Sequence, residues 1–175
     1  MTSPDPNARY ETILQEYLPA LRRLVAAYES DLHEREDLLQ NIAFAIWRAL
    51  PSFRGDSSAR TFVYRIAHNR AISHRLTGSR RSRLIALGES PPDIPDARPN
   101  AAAELDRAEL GATLMTCVRS LSPMLRQTLV LSLEGLTNPE IADVLGVSVS
   151  TVAVRLTRAR AAVTTSLKMP AHDIA

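Results

Sequence analysis

Apolar residues return at helical spacing along most of the chain, and nowhere do they alternate over a useful length as in a strand. Residues 8–28 carry this spacing, with Pro19 placed to open a second helix after Tyr17 and Leu18. The clearest helix is EREDLLQNIAFAIWRAL at 34–50, where Leu38, Leu39, Ile42, Ile46 and Leu50 form one stripe and Pro51 ends the run. PSFRGDSSAR at 51–60 is expected to be a loop, followed by a helix over 61–76. On that helix Phe62, Ile66, Ile72 and Leu76 cluster on the core side. Tyr64, His68, Ala71 and Arg75 then face the other way, with His74 at the margin.

The C-terminal half carries sharper local signals. Ser122 followed by Pro123 reads as an N-cap with proline at the first helical position, opening a helix that Gly135 closes. Thr137 and Glu140 form a capping box, because each can bond the other's backbone N–H. The short helix they open is closed by Gly146, and Ser148 caps a last helix from Val149 to about Lys168. Two short helices joined by LGVS make a helix-turn-helix.

Between the halves, Pro91, Pro92, Pro95 and Pro99 stand among acids and Gly88, which prevents regular helix. The chain is therefore expected to be all-α: two small helical domains joined by a proline-rich flexible linker, the second containing the helix-turn-helix. The expected bounds are 8–83, 84–100 and 101–170. No apolar run reaches the length of a membrane span, and the N-terminus lacks the basic and apolar regions of a secretory signal. The single Cys117 is read as a small buried hydrophobe. These features lead us to expect a cytoplasmic protein.

Charge sharpens the picture. The net charge is +2, yet residues 51–83 hold eight arginines against one acid, Asp56. A second basic island lies in 149–175, and acidic or near-neutral sequence separates the two. Two islands point to two contacts with a polyanion. On the last helix Val152, Leu156, Ala159, Val163 and Leu167 follow a core stripe, so Ser150, Thr151, Val154, Arg155 and Arg158 project outward. The hydroxyls can bond bases or phosphates, and the guanidinium groups suit phosphate or guanine. Val154, about 200° around the helix from Val152, suits a thymine methyl group. In the first basic island, Tyr64 and His68 beside Arg75 offer the stacking and charge neutralisation that an unpaired base requires.

In this order the segments resemble the extracytoplasmic-function (ECF) sigma factors of the sigma-70 family, over residues 10–168. EDLLQNIAFAIWRAL is similar to the family segment that docks on the clamp helices of the polymerase β′ subunit. FRGDSSARTFVYRIAHNRAISHRL resembles the segment that melts and recognises the −10 element. LSPMLRQTLVLSLEGLTNPEIADVLGVSVSTVAVRLTRAR resembles the −35-binding domain. The resemblance implies sigma region 2 at 8–83 and sigma region 4 at 101–170. It implies polymerase contacts through Asp37, Leu38, Gln40, Asn41, Phe44 and Trp47. On the −10 side it implies Phe53, Arg54, Asp56, Arg60, Tyr64, Arg65, His68, Asn69 and Arg75. Ser150, Thr151, Val154, Arg155 and Arg158 would read −35. Partners so implied are RNA polymerase core (β′ clamp helices and β flap), promoter DNA and an anti-sigma factor, often membrane-anchored.

The chain departs from the family pattern at Ser73, where an aspartate is frequent, and at Ala153 and Val154, where a basic or polar pair is usual. The second departure removes candidate base contacts, so its −35 sequence does not follow from the family's usual one. A stand-alone helix-turn-helix regulator is the alternative, although the first half shows no heptad seam for a dimer. An enzyme acting on nucleic acid is disfavoured. His33, His68, His74 and His172 form no metal-ligand motif, and no carboxylate cluster sits near the basic islands. No cofactor, metal or small-molecule substrate is expected.

Overall fold

The computed structural model describes residues 6–85 and 102–168, with side chains over 8–75 and 109–168. These residues form α1 (Pro6–Ala26), α2 (Leu32–Ala49), a single 3-10 turn (Leu50–Ser52) and α3 (Ala59–Ile85). Beyond the gap lie α4 (Ala102–Ser120), α5 (Pro123–Leu133), α6 (Asn138–Leu145) and α7 (Val149–Lys168). No strand occurs among the described residues.

The first three helices pack on one another through the stripes that the spacing predicts. Leu21 and Leu24 of α1, Leu38, Ile42 and Ile46 of α2, and Val63 and Ala67 of α3 are fully buried. Each large aliphatic side chain so removed from water contributes about 1.5–3 kcal/mol. Asp31 starts α2, its carboxylate accepting the Glu34 N–H at 2.9 Å. Pro19 does not open a second helix but lies inside a continuous α1. Proline deprives the carbonyl four residues back, at Gln15, of its partner. Both Gln15 and Pro19 are exposed, so water can satisfy that group.

The expected orientation of the third helix is overturned. Thr61, Val63, Tyr64, Ala67, His68 and Ala71 are buried, whereas Phe62, Ile66 and Ile72 are only half-buried. The reason is that α3 is packed from two sides, by α1 and α2 and also by α5 and α6. Of that expected outward face only Arg75 is exposed. Leu76, assigned to the core side, lies outside the residues whose side chains are described. α3 also starts at Ala59 and runs on to Ile85, past the helix end expected at 76 and the domain bound expected at 83, and the rest of the expected linker lies outside the described residues.

In the second half, Leu129, Leu131, Ile141, Val152, Leu156 and Ala159 build the core. α4 has no counterpart among the helices the spacing predicts, since its alanine-rich sequence shows little periodicity. Its C-terminus is held by Arg126 of α5. That guanidinium is buried and donates to the carbonyls of Val118 (3.2 Å), Leu121 (2.8 Å) and Arg119. A cation at carbonyls the helix leaves unpaired also suits its dipole. Ser122 occupies the N-cap position of α5 but makes no side-chain capping bond. On α7 the core stripe is shorter than expected: Val163 is half-buried and Leu167 exposed, because the helix outruns the core beneath it.

Candidate nucleic-acid interface

The α6–α7 pair is fixed by local chemistry. Thr137 Oγ1 and the Glu140 carboxylate make the reciprocal capping box. The bonds from Thr137, first from its backbone N–H and then from its hydroxyl, hold the Glu140 carboxyl below the usual carboxylate range. Gly146 takes the left-handed conformation (φ 65°) that turns the chain between the helices. Ser148 Oγ then accepts the Thr151 N–H at 3.2 Å and lies within 2.9 Å of the Ser150 and Thr151 hydroxyls.

The outward face of α7 comprises Ser150, Ala153, Val154 and Arg158, all exposed, with Thr151 and Arg155 half-buried at its edge. Arg155 is drawn aside, one of its nitrogens 3.5 Å from Met124 Sδ. Val154 is half exposed (50%) and Val149 nearly so. The face therefore offers hydroxyls near its N-terminus, a methyl patch at its middle and a guanidinium one turn further on. A helix entering a major groove presents this sequence of groups to base edges and backbone.

The second candidate face lies around the turn before α3. Gly55 (φ 86°) bends this loop, and Arg54 and Asp56 are exposed. Phe53 is half-buried, its ring 4.5 Å from that of Phe62, with the Arg9 guanidinium 5.1 Å from its centroid. Along α3, Arg65, Asn69 and Arg75 are exposed and Arg60 is half-buried. Tyr64 and His68, expected on the same face, are instead buried. Tyr64 sits edge-on to Tyr17 and its hydroxyl donates to Glu134 Oε2 at 3.4 Å. Burial, then the Glu134 charge, pushes its phenol up to about 12. His68 is bonded to the Tyr28 hydroxyl at 2.8 Å, and burial lowers its imidazole to about 3. Sequence reasoning missed Arg70, which lines an open groove between α2 and α3 with Ala45, Ala49, Ile66, Asn69 and Ser73. Its place in the basic island was the available signal. Arg9, far away in sequence, gave none.

A third face runs along α2. Phe44 and Trp47 stack with ring centroids 5.8 Å apart while remaining 58% and 48% exposed. Asp37, Gln40 and Asn41 are exposed beside them, whereas Leu38 is wholly buried and cannot belong to a contact surface. The i, i+3 and i+4 geometry of the helix sends Leu38 inward with Ile42, while Gln40, Phe44 and Trp47 point out. The face therefore presents a stacked, half-exposed aromatic pair rimmed by polar side chains.

The two halves also touch. Arg23 makes a bidentate pair with the Glu134 carboxylate (2.9 and 2.6 Å). Arg60 donates to the Glu134 carbonyl at 2.5 Å, and Arg65 to the Asp143 carbonyl at 2.7 Å. Arg119 donates to the Ala26 carbonyl at 3.1 Å. Arg126 lies 5.7 Å from the Tyr28 ring centroid.

Among the described residues no group of histidine, cysteine and carboxylate side chains could hold a metal ion. No described helix is long and apolar enough to cross a membrane.

Known proteins place these faces in a family. The model of sigma-70 region 2 matches residues 13–81, and that of sigma-70, region 4 matches residues 112–163. The RNA polymerase sigma-H factor of Pseudomonas aeruginosa is 31% identical over 176 residues, covering 91% of this chain and 86% of the relative. The ECF RNA polymerase sigma-E factor of Escherichia coli is 34% identical over 143 residues, 73% of this chain and 70% of the relative. Among solved structures, CnrH in complex with the cytosolic domain of CnrY superposes with a TM-score of 0.65 at 25% identity, covering 92% of this chain and 88% of that one. With both regions in order and a relative matching almost end to end, the chain belongs to the ECF sigma factors of the sigma-70 family.

Proposed function

We propose that this chain binds RNA polymerase core and directs it to promoters, reading −35 through α7 and −10 through the loop before α3 and the exposed side of that helix. The observation that carries this reading is the division of labour between three exposed faces: a helix-turn-helix, an arginine-rich helix with its loop, and a stacked aromatic pair. The polymerase supplies the chemistry, and no catalytic role falls to this chain.

In this scheme Ser150, Thr151, Val154, Arg155 and Arg158 meet duplex DNA at −35. Arg158 takes phosphate, while the exposed Val154 takes a thymine methyl group. Phe53, Arg54, Asp56, Arg65, Asn69 and Arg75 meet the opened strand at −10, and Arg70 joins them as an exposed neighbour. Flipping a base out of the stack costs a few kcal/mol, which such contacts offset. Arg60 and Tyr64 can take part only once Glu134 has released them, and His68 acts through packing. Phe44 and Trp47, with Asp37, Gln40 and Asn41, dock on the β′ clamp helices, and region 4 meets the β flap.

CnrH was solved with the cytosolic domain of CnrY. By analogy, an anti-sigma factor holds this chain inactive in the cytoplasm. Residues 8–83 and 101–170 serve as regions 2 and 4, tethered by 84–100.

Run-off transcription with purified core polymerase, on DNA upstream of the chain's own gene, tests the reading. A specific start that depends on the added protein is expected. No such start, together with failure to co-purify with β′, would overturn it. Tight duplex binding without core would instead favour a stand-alone helix-turn-helix regulator.

A further inference from the structure

Arg9 is the one basic residue of the stretch 6–21, which also holds Glu11 and Glu16, so its surroundings in the sequence are acidic. It precedes the residues 13–81 matched by the sigma-70 region 2 model, and that match gives it no role. The fold nevertheless carries it to the loop assigned to the opened strand. Ile13 is buried in the core, and α1 packs against the 3-10 turn that leads into Phe53. Arg9 stands one turn before Ile13 on the same side of the helix, which brings its guanidinium to 5.1 Å from the Phe53 ring centroid.

The Phe53 ring also rests on Phe62, with centroids 4.5 Å apart. Beyond this ring the loop stands clear. Arg54, Gly55 and Asp56 are exposed, and a Cβ at Gly55 would meet nothing within 4 Å. Arg60 and Arg65 of α3 donate to the carbonyls of Glu134 and Asp143. Arg9, by contrast, bonds no carboxylate or carbonyl among the described residues and rests on the ring. The ring quadrupole attracts a guanidinium without neutralising it, so Arg9 is held at Phe53 with its charge intact. An unpaired base stacks on the same kind of aromatic face, and the phosphates beside it need cations. Arg9 offers both at one place: a flat group that stacks, and a positive charge.

We propose that Arg9, from the first helix, is a further −10 contact that holds the opened strand at Phe53 by neutralising phosphate beside the base stacked there. This rests on the loop before α3 being the −10 site. Every base has a π-face and every nucleotide a phosphate, so Arg9 adds grip on the melted strand and not base choice.

Holoenzyme reconstituted with core polymerase tests this through its binding to a fluorescent single-stranded oligonucleotide. The oligonucleotide carries the non-template −10 segment upstream of the start mapped by run-off transcription. Arg9→Ala should weaken binding roughly threefold to tenfold. It should also flatten the salt dependence, lowering the log–log slope by about 0.7, the share of one phosphate contact on a single strand. Arg9→Lys keeps the charge and should keep the slope while losing part of the stacking. Arg9 is exposed, so thermal melts and retention of core should match the wild type for both variants. Arg9→Ala binding as tightly as the wild type overturns the proposal. So does weaker binding with an unchanged slope, which would make Arg9 a brace for Phe53 alone. No binding by wild-type holoenzyme would overturn the −10 reading itself, and the proposal with it, so the two failures are distinguishable.

Discussion

Tyr28 and His68 meet in the core through a 2.8 Å hydrogen bond between the phenol oxygen and Nδ1, joining the turn after α1 to α3. Their rings stand edge-on with centroids 5.7 Å apart. His68 Nε2 is buried without a protein partner, so a proton arriving there would place an uncompensated charge in the core.

That relationship predicts acid sensitivity. Burial lowers His68 from 6.5 to about 3, so between these values the unfolded chain binds a proton that the folded chain excludes. Stability from this group is therefore full above about pH 6.5 and is lost as pH falls toward 3. By pH 5 the loss is about 2 kcal/mol. Urea unfolding at pH 7 and pH 5 should show it, and His68→Phe should reduce the difference. Equal pH dependence in the variant would remove His68 as its cause.

The aromatic pair on α2 separates docking from folding. Phe44→Ala and Trp47→Ala remove exposed rings, so each should change unfolding free energy by only about 0.5 kcal/mol while sharply weakening retention of core polymerase. Leu38→Ala, four residues along the inner stripe from Ile42, should instead cost about 2–5 kcal/mol. If Phe44→Ala and Trp47→Ala both retain polymerase as the wild type does, the aromatic pair is not the docking face.

Arg126→Met should destabilise the second half by several kcal/mol despite similar volume. The carbonyls of Val118, Arg119 and Leu121 would lose a shared donor in a buried site. Thermal melts of the full chain check this. A melt within a degree of wild type would show that those carbonyls find other partners.

Arg158→Ala should weaken −35 binding across sequences and lower the salt slope by about 1, because an exposed guanidinium on the outer face of α7 is assigned to phosphate. Binding titrations at several salt concentrations measure the slope directly. A base-dependent loss with an unchanged slope would move Arg158 from backbone to base contact.

Thr137→Ala removes the capping hydroxyl from α6 and should cost about 1 kcal/mol. It should also loosen the helix-turn-helix, so duplex binding weakens although Thr137 need not touch DNA. Unfolding curves and −35 binding, measured on the same variant, should move together.

The sequence by itself determined what local chemistry decides. Thr137 and Glu140 form their capping box, Gly146 turns left-handed, and Ser148 caps α7, because each bond joins residues only a few positions apart. The α2 stripe was legible for the same reason, since Leu39, Ile42 and Ile46 repeat at one period against one partner face. The outward groups of α7 were legible too, as its core side is a single narrow stripe. Tertiary structure alone decided which way α3 turns. Tyr64 and His68 are amphipathic, and what buries them comes from afar: Tyr28 is 40 positions from His68, and Glu134 is 70 from Tyr64 and 111 from Arg23. Helical periodicity records one buried face, and a helix packed from two sides by distant segments has no single face to record. The same holds for Arg126, whose partners are the carbonyls of a helix with little periodicity of its own. The clasp around Glu134 is thus a property of the folded chain, set by which half of the molecule lies against which.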